Sequence, residues 1–417
     1  MVSRREMISF DEAQNIIKGL IGLPRIVKTP LVQALGKIAA ADILAPMSVP
    51  SFDNSAMDGF AVNSADLAFA SEVSPICLPI IETIGAGDKA SEIFAAGVVH
   101  IMTGAKIPVR FDAVVPIENV KLVGNIVEFS NAVSVGQNVR FIGQDVLLGQ
   151  EILRIGTRIS AELIMLLASI GIAKIDVFET PQLYLYSTGN EIIDYKDPSL
   201  PYGKIYNSTA PYLMARAAEI GVNAQYGGII GDNATDFEAL VSQIPAGNII
   251  ITTGAVSMGK WDFIPQSLKN LGAKIHFHKV NIRPGKPILF AVLPNGNLFF
   301  GLPGNPISSA IGFKFFVEPA VNAIVRKAKP KTILAQLESG FVKRGDFRQF
   351  VKAITRIDDG RMLVTINSGQ ESFKISPMAK TNSWAILPEI ITDFCAGDKV
   401  EIVFFGQLLG VFDDHKS

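Results

Sequence analysis

Short peptides in the middle of the chain carry residue types suited to a phosphorylated or oxyanionic ligand. STGNEI ends on Glu191 and Ile192, GGIIGDNATD holds Asp232 and Asp236, TTGAVSMGKWDF holds Asp262, and NIRPGKP sets Arg283 and Lys286 around a Pro-Gly turn. Carboxylates offer hard oxygens to a cation such as Mg²⁺, while fixed Arg and Lys in a tight turn suit phosphate or a doubly charged oxyanion. In GLPGNP, Gly301 and Gly304 allow close backbone approach, and Asn305 before Pro306 reads as a helix start whose first N–H groups face an anion. TTGAVSMG is a second such turn, with Thr252, Thr253 and Ser257 as hydroxyl donors around Gly254.

Most of these residues also have a purely structural reading. Asp232 with Asn233 suits a helix N-cap, and Asp262 at a helix start suits the macrodipole. Glu191 has no evident structural task. Earlier in the chain, SFDNSAMDGFAV places Asp58 before Gly59, either as turn chemistry or as an active-site carboxylate. HIMTGAKIP places Thr103 and Gly104 in a turn, and FIGQDVLLGQ carries Asp145. KRGDFRQF brings Arg344 and Arg348, an anion clamp or an edge strand protected by charge. His276 and His278 share a strand face without a third ligand, and no role is assigned to them.

The elements that must position these groups follow from the patterning. Ser9 and Glu12 open a helix over residues 9–22. From Val49 to about Gln137, short apolar runs broken by Gly, Pro, Asn and Asp predict a small β domain. Residues 138–177 read as a return to helix, with Ser160 as cap and Gly171 as stop. After Pro181, strands and helices alternate through residue 325, which implies a parallel sheet covered on both faces, with polar groups at the carboxyl ends of its strands. From about Lys329 a second β domain is expected. The fold class is α/β multidomain: a helical linker domain (1–48 with 138–177), a β insert (49–137), an α/β core (178–328) and a C-terminal β domain (329–417).

Composition narrows the function. Hydrophobic residues make up 48% and charged residues 18% of the 417 positions, the balance of a well-buried enzyme. A formal charge of −1 gives no support for nucleic-acid or anionic-membrane binding. Cys77 and Cys395 lie far apart without a CxxC spacing, so neither a disulfide framework nor a zinc site is indicated. The apolar run at 163–173 is too short to span a bilayer, and the N-terminus lacks the apolar core of a signal peptide. A cytoplasmic location is expected.

Taken together, FDNSAMDGFAV, HIMTGAKIPVRFDAVVPIE, FIGQDVLLG, STGNEI, ITTGAVSMGKWDF, RPGKP, LPGNP and TNSWAILPE resemble the molybdopterin molybdenumtransferase family, which includes the E domain of gephyrin. The resemblance implies a molybdopterin-binding α/β core, a C-terminal β barrel and an elongated homodimer. It implies Mg²⁺-dependent insertion of molybdate into adenylylated molybdopterin with release of AMP, and a molybdopterin adenylyltransferase as upstream partner. The active site is then expected between the core of one subunit and the β insert of the other. Matched residue by residue, Asp58, Asp145, Glu191 and Asp262 take catalytic positions, the last two also as metal ligands. Thr103, Asp232, Thr253, Gly254, Ser257, Arg283, Lys286, Gly304, Asn305, Arg344 and Ser372 take substrate-binding positions. Arg348 competes with Arg344, and Ser376 with Ser372.

The chain departs from the family pattern at Ala255, Asn190 and Gln144, where a glycine, an aspartate and a glutamate are usual. Two rivals follow: the related adenylyltransferase, which shares the α/β fold, and a non-catalytic scaffold. The β insert and C-terminal domain argue against the first, and the retained carboxylates against the second.

Overall fold

A computed structural model describes residues 7–89, 95–231, 233–256, 263–328 and 332–406. The chain forms two compact units, Met1–Val27 with Gly36–Ile38 and Phe178–Ser417, and Lys28–Leu35 with Ala39–Val177.

The first unit is built on a six-stranded sheet in the order Ala224–Ile230, Leu183–Thr188, Ile249–Thr253, Leu298–Leu302, Leu289–Val292, Lys274–Phe277. Its strands are nearly uninterrupted apolar runs because both faces are covered. Leu183, Leu185, Ile249, Ile251, Leu298 and Phe300 pack on one face with the helices Phe10–Gly19, Thr209–Glu219 and Pro306–Gly312. Tyr186, Ile250, Leu289 and Phe299 pack on the other with Phe237 and Val241 of Ala234–Ser242 and Ile264 and Leu268 of Ile264–Asn270. The expected wholly parallel sheet is corrected at one edge. Leu289–Val292 runs antiparallel to Leu298–Leu302, and Lys274–Phe277 antiparallel to Leu289–Val292. The link from Val292 to Leu298 is too short for a crossover, so it can only form a hairpin.

The C-terminal strands close on themselves. Arg348–Asp358 pairs with Arg361–Ile366, Ile333–Leu337 joins that strand to Lys399–Phe404, and Ser383–Leu387 returns to Arg348–Asp358. The tight turn at Asp359 (φ 46°) and Gly360 (φ 72°) is the left-handed pair that a two-residue hairpin demands. Ala335, Ala353 and Ala385 keep the barrel interior narrow beside Leu337, Val351, Val364 and Ile402. The short strand Ile282–Arg283 leaves the α/β part and pairs parallel with Arg348–Gln349.

In the second unit a six-stranded sheet runs Ala113–Pro116, Gly59–Val62, Val98–Ile101, Ile76–Ile84, Ile126–Phe129, Lys121–Val123. The expected β rhythm from Val49 is thus observed. The return to helix at 138–177 is observed only in part: Ala161–Ser169 forms with Ser160 as its cap and Gly171 (φ 79°) just past its end, while the rest of the described segment holds short strands and turns. Gly143, Gly149 and Gly156 take φ of 74°, 80° and 86°, and these turns break the segment before a helix can nucleate. The helix Phe10–Gly19, capped by Ser9 Oγ on the Glu12 N–H at 3.1 Å, packs in the first unit. No helix among the described residues is long and apolar enough to cross a membrane.

Candidate active site

The carboxyl ends of the parallel strands meet at one rim. The strand Leu183–Thr188 ends in Gly189, at φ 125°, and the Glu191 carboxylate folds back over it. A Cβ on Gly189 would lie 2.7 Å from both Glu191 oxygens. The Glu191 carboxylate is exposed and receives no hydrogen bond from a described residue. The strand Ile249–Thr253 ends in Gly254, at φ 93°, whose N–H donates to the Leu302 carbonyl at 2.9 Å. Gly304 approaches Gly254 so closely that an added Cβ would be 3.8 Å from its Cα, so the two glycine turns are neighbours.

Below the rim, Thr188 Oγ1 donates to the Thr253 carbonyl at 3.0 Å. Asn207 donates to Ser187 Oγ at 2.9 Å and to the Tyr226 hydroxyl at 2.8 Å, and its Oδ1 accepts from the Ala210 N–H at 3.1 Å. Asn207 therefore satisfies the start of the helix Thr209–Glu219. Burial pushes the Tyr226 hydroxyl pKa up, so this network stays neutral. Asn233 caps Ala234–Ser242 through the Thr235 N–H at 3.0 Å, and it holds Asp236 at 2.9 Å, which leaves Asp236 in a structural role. Asp232, Ser257 and Asp262 lie outside the described residues. Among the described residues no three His, Cys, Asp or Glu side chains assemble into a metal-binding group.

A cleft of about 360 Å³ opens where the Ile282–Arg283 strand meets the barrel. Arg283, Lys286, Ser308, Phe347 and Ser372 line it, so residues far apart in sequence converge there. Gly285, at φ 106°, makes the sharp turn that puts Arg283 and Lys286 on the same side. The Arg283 guanidinium lies 5.5 Å from the centre of the Phe347 ring. Asn305 sits at the cap position of Pro306–Gly312 without a side-chain cap bond, while the Ser372 carbonyl accepts from the Ile307 N–H at 3.2 Å. Ser372, rather than Ser376, lines the cleft.

Arg344 is exposed, three residues before Phe347. Arg348 is committed elsewhere. It reaches Asp11 through two bonds of 2.8 and 3.0 Å and Glu389 at 3.2 Å, and it lies 4.7 Å over the Phe10 ring. Burial pulls its pKa down, but Asp11 and Glu389 outweigh this and raise it. Ser308 was missed because a serine inside an apolar helix carries no motif.

In the second unit, Asp58 is exposed, and its Oδ1 accepts from the Thr103 N–H at 2.7 Å and the Thr103 hydroxyl at 2.8 Å. These bonds, with His100 nearby, hold its carboxyl below the ordinary value of 3.8. Asn54 and Ser55 are buried supports: Ser55 Oγ donates to the Met57 carbonyl at 2.5 Å, and the Gly104 N–H donates to the Ser55 carbonyl at 2.8 Å. Gly59 is present for space rather than for a turn. A Cβ there would lie 2.1 Å from the Val115 carbonyl oxygen. Asp145 is exposed, and its N–H donates to the Val49 carbonyl at 2.9 Å. The turn before it is closed by Asp53, whose Oδ1 accepts from the Ile142 N–H at 2.7 Å.

Comparison with known proteins fits this arrangement. Residues 8–171 match the MoeA N-terminal region (domain I and II), 184–323 a probable molybdopterin binding domain, and 335–405 the MoeA C-terminal region (domain IV). A molybdopterin molybdenumtransferase of Bacillus subtilis is 34% identical over 415 residues, 98% of this chain and 96% of that protein. The chain belongs to the molybdopterin molybdenumtransferase family. Its Synechococcus elongatus member is also 34% identical, over 90% of this chain and 94% of that protein. The crystal structure of a molybdopterin biosynthesis moea protein from Pyrococcus horikosii matches with a TM-score of 0.80 at 28% identity, covering 96% of this chain and 99% of that one. The family fold, a molybdopterin-binding α/β core with a closed five-stranded C-terminal barrel, is the fold observed here.

Proposed function

We propose that this chain is a molybdopterin molybdenumtransferase that binds adenylylated molybdopterin and molybdate, releases AMP and leaves molybdenum on the dithiolene sulfurs. The observation that supports this most is the cleft in which Arg283, Lys286, Ser308 and Ser372 converge. Two cations and two hydroxyl side chains around one small volume suit a tetrahedral dianion. Arg344, exposed three residues before the lining residue Phe347, is a further cation for the same ligand. Gly304 and Asn305 offer backbone N–H groups to the pterin phosphate beside the turn at Thr253 and Gly254, with Ser257 as a further hydroxyl donor and Asp232 contacting the pterin.

The Glu191 carboxylate, without a hydrogen-bond partner among the described residues, fits a hard cation, and Glu191 and Asp262 are the residues that would hold Mg²⁺. When bound, the ion supplies charge neutralisation across the pyrophosphate. The chain's own groups orient the reactants. A water oxygen adds to the AMP phosphorus, the bond to the pterin phosphate breaks, and the proton leaves to solvent; molybdate exchanges one oxo group for the two dithiolene sulfurs, that oxygen leaves with the two thiol protons as water, and molybdenum stays at Mo(VI). Asp58 and Asp145 orient substrate or water from the second subunit of a homodimer. The lowered pKa of Asp58 suits a fixed negative charge better than a proton acceptor.

The reading includes the division at 1–48 with 138–177, 49–137, 178–328 and 329–417, a cytoplasmic location, and supply of the intermediate by an adenylyltransferase. The test is incubation of the purified protein with adenylylated molybdopterin, molybdate and Mg²⁺. AMP release that Glu191→Ala slows sharply without loss of fold is expected. Tight ligand binding with no AMP release would leave a scaffold and sink the enzyme reading.

A further inference from the structure

Two buried lysines stand behind the walls of the Arg283 cleft, and neither forms an ion pair among the described residues. Lys343 is 2% exposed, and its Nζ donates to the carbonyls of Phe347 at 2.9 Å, Pro388 at 2.6 Å and Glu389 at 2.7 Å. Lys352 is fully buried in the strand Arg348–Asp358, and its Nζ donates to the carbonyls of Glu371 at 3.3 Å and Lys374 at 3.1 Å. Burying an ammonium without a carboxylate in direct contact is costly, and an apolar side chain of similar length would fill the same volume. An ammonium does one thing such a side chain cannot: its separate donors join carbonyls from different stretches of chain.

The groups so joined belong to the cleft. Lys343 bonds the carbonyl of Phe347, a lining residue, and its Nζ lies 5.6 Å from that ring's centre while Arg283 lies 5.5 Å from it. Lys352 bonds the carbonyl of Glu371, the residue directly before Ser372. Ser372 lines the cleft and in turn accepts the Ile307 N–H. Burial lowers the pKa of both ammonium groups, offset in part by Glu389 and Asp346 near Lys343 and by Glu371 near Lys352.

We propose that Lys343 and Lys352 are positioning residues for the oxyanion cleft, fixing Phe347 and Ser372 opposite Arg283 and Lys286 and placing two positive charges behind that wall. The proposal rests on the reading of this cleft as the molybdate site. Loss of either lysine lets its loop relax and widens the cleft, weakening the hold on molybdate more than it slows the chemistry.

The test uses the full-length chain, with AMP release measured against molybdate concentration and folding followed by thermal melting. Lys352→Met and Lys343→Met are expected to raise KM for molybdate about tenfold with kcat within about twofold, the pattern of lost binding rather than lost chemistry. Lys352→Arg, which keeps a buried cation, is expected to fold and to raise KM by only about threefold. If Lys352→Met fails to fold, Lys352→Arg and Lys343→Met decide. A wild-type KM in the folded variants, or a fall in kcat alone, overturns the proposal. Arg283→Ala separates the two levels. If it leaves KM for molybdate unchanged, the cleft is not the molybdate site and both readings fall; if it raises KM while the lysine variants do not, only the positioning role falls.

Discussion

Gly254→Ala tests the rim at its tightest point. Gly254 has φ 93°, where an L side chain is strained, and the new Cβ would lie 2.7 Å from Thr188 Oγ1 and 2.8 Å from the Thr188 carbonyl oxygen. Both contacts fall well inside normal carbon–oxygen approach, and the backbone oxygen cannot swing aside. The strained dihedral costs roughly 1–3 kcal/mol. Relieving the contacts by separating the two strand ends costs roughly another 1–3 kcal/mol. It also disturbs the Thr188 bond to the Thr253 carbonyl and the Gly254 bond to Leu302. The sum of about 2–6 kcal/mol corresponds to a fall in melting temperature of roughly 4–12 °C for a unit of this size, taking about 2 °C per kcal/mol. Differential scanning calorimetry of the full chain, with hydrogen exchange at the Gly254 amide, gives both readouts. A melting temperature within about 1 °C of wild type and unchanged protection at Gly254 would refute the reasoning.

The neighbouring Ala255→Gly has the opposite sign, since Ala255 sits at φ 49°. Relief of that backbone is partly offset by glycine's greater unfolded entropy, so a gain of at most about 1 kcal/mol is expected in urea denaturation. Arg348→Met removes both carboxylate partners and is expected to destabilise the first unit by about 2–4 kcal/mol, read from the urea midpoint, with little change in KM for molybdate. Thr103→Val removes the hydroxyl donor to Asp58 and should move its carboxyl pKa up toward 3.8, followed by NMR titration. Because the folded pKa of Asp58 is lowered, its stabilising bond to Thr103 is fully present above 3.8 and is lost as pH falls through the folded value. The variant should show a weaker acid dependence there.

Much of the α/β core was legible because its strands are continuous apolar runs bounded by glycine turns, and because Ser9 and Asn233 announce helix starts. The convergence of Arg283 and Lys286 followed from the Pro-Gly turn between them. The antiparallel edge was not legible, since a strand bears no mark of its direction and only the short link between Val292 and Leu298 carried the information. Lys343 and Lys352 were equally hidden: a lysine in or just beyond a strand reads as a solvated or edge residue, and only the fold shows carbonyls converging on it. Gly59 misled in a different way. Asp-Gly suggested a turn, yet the glycine is required by the Val115 backbone two strands' pairing away in sequence but adjacent in space. Arg344 and Arg348 looked alike in KRGDFRQF, and only the contacts with Asp11 and Glu389 separate them.

The central claim is tested most directly by following the metal. In a single turnover with adenylylated molybdopterin, molybdate and Mg²⁺, AMP is quantified by chromatography and molybdenum bound to the released pterin by elemental mass spectrometry. The account predicts that AMP and pterin-bound molybdenum rise together in equal amounts, and that Arg283→Ala suppresses the molybdenum signal at low molybdate. AMP released with no molybdenum on the pterin, or neither product formed by folded protein, would contradict it.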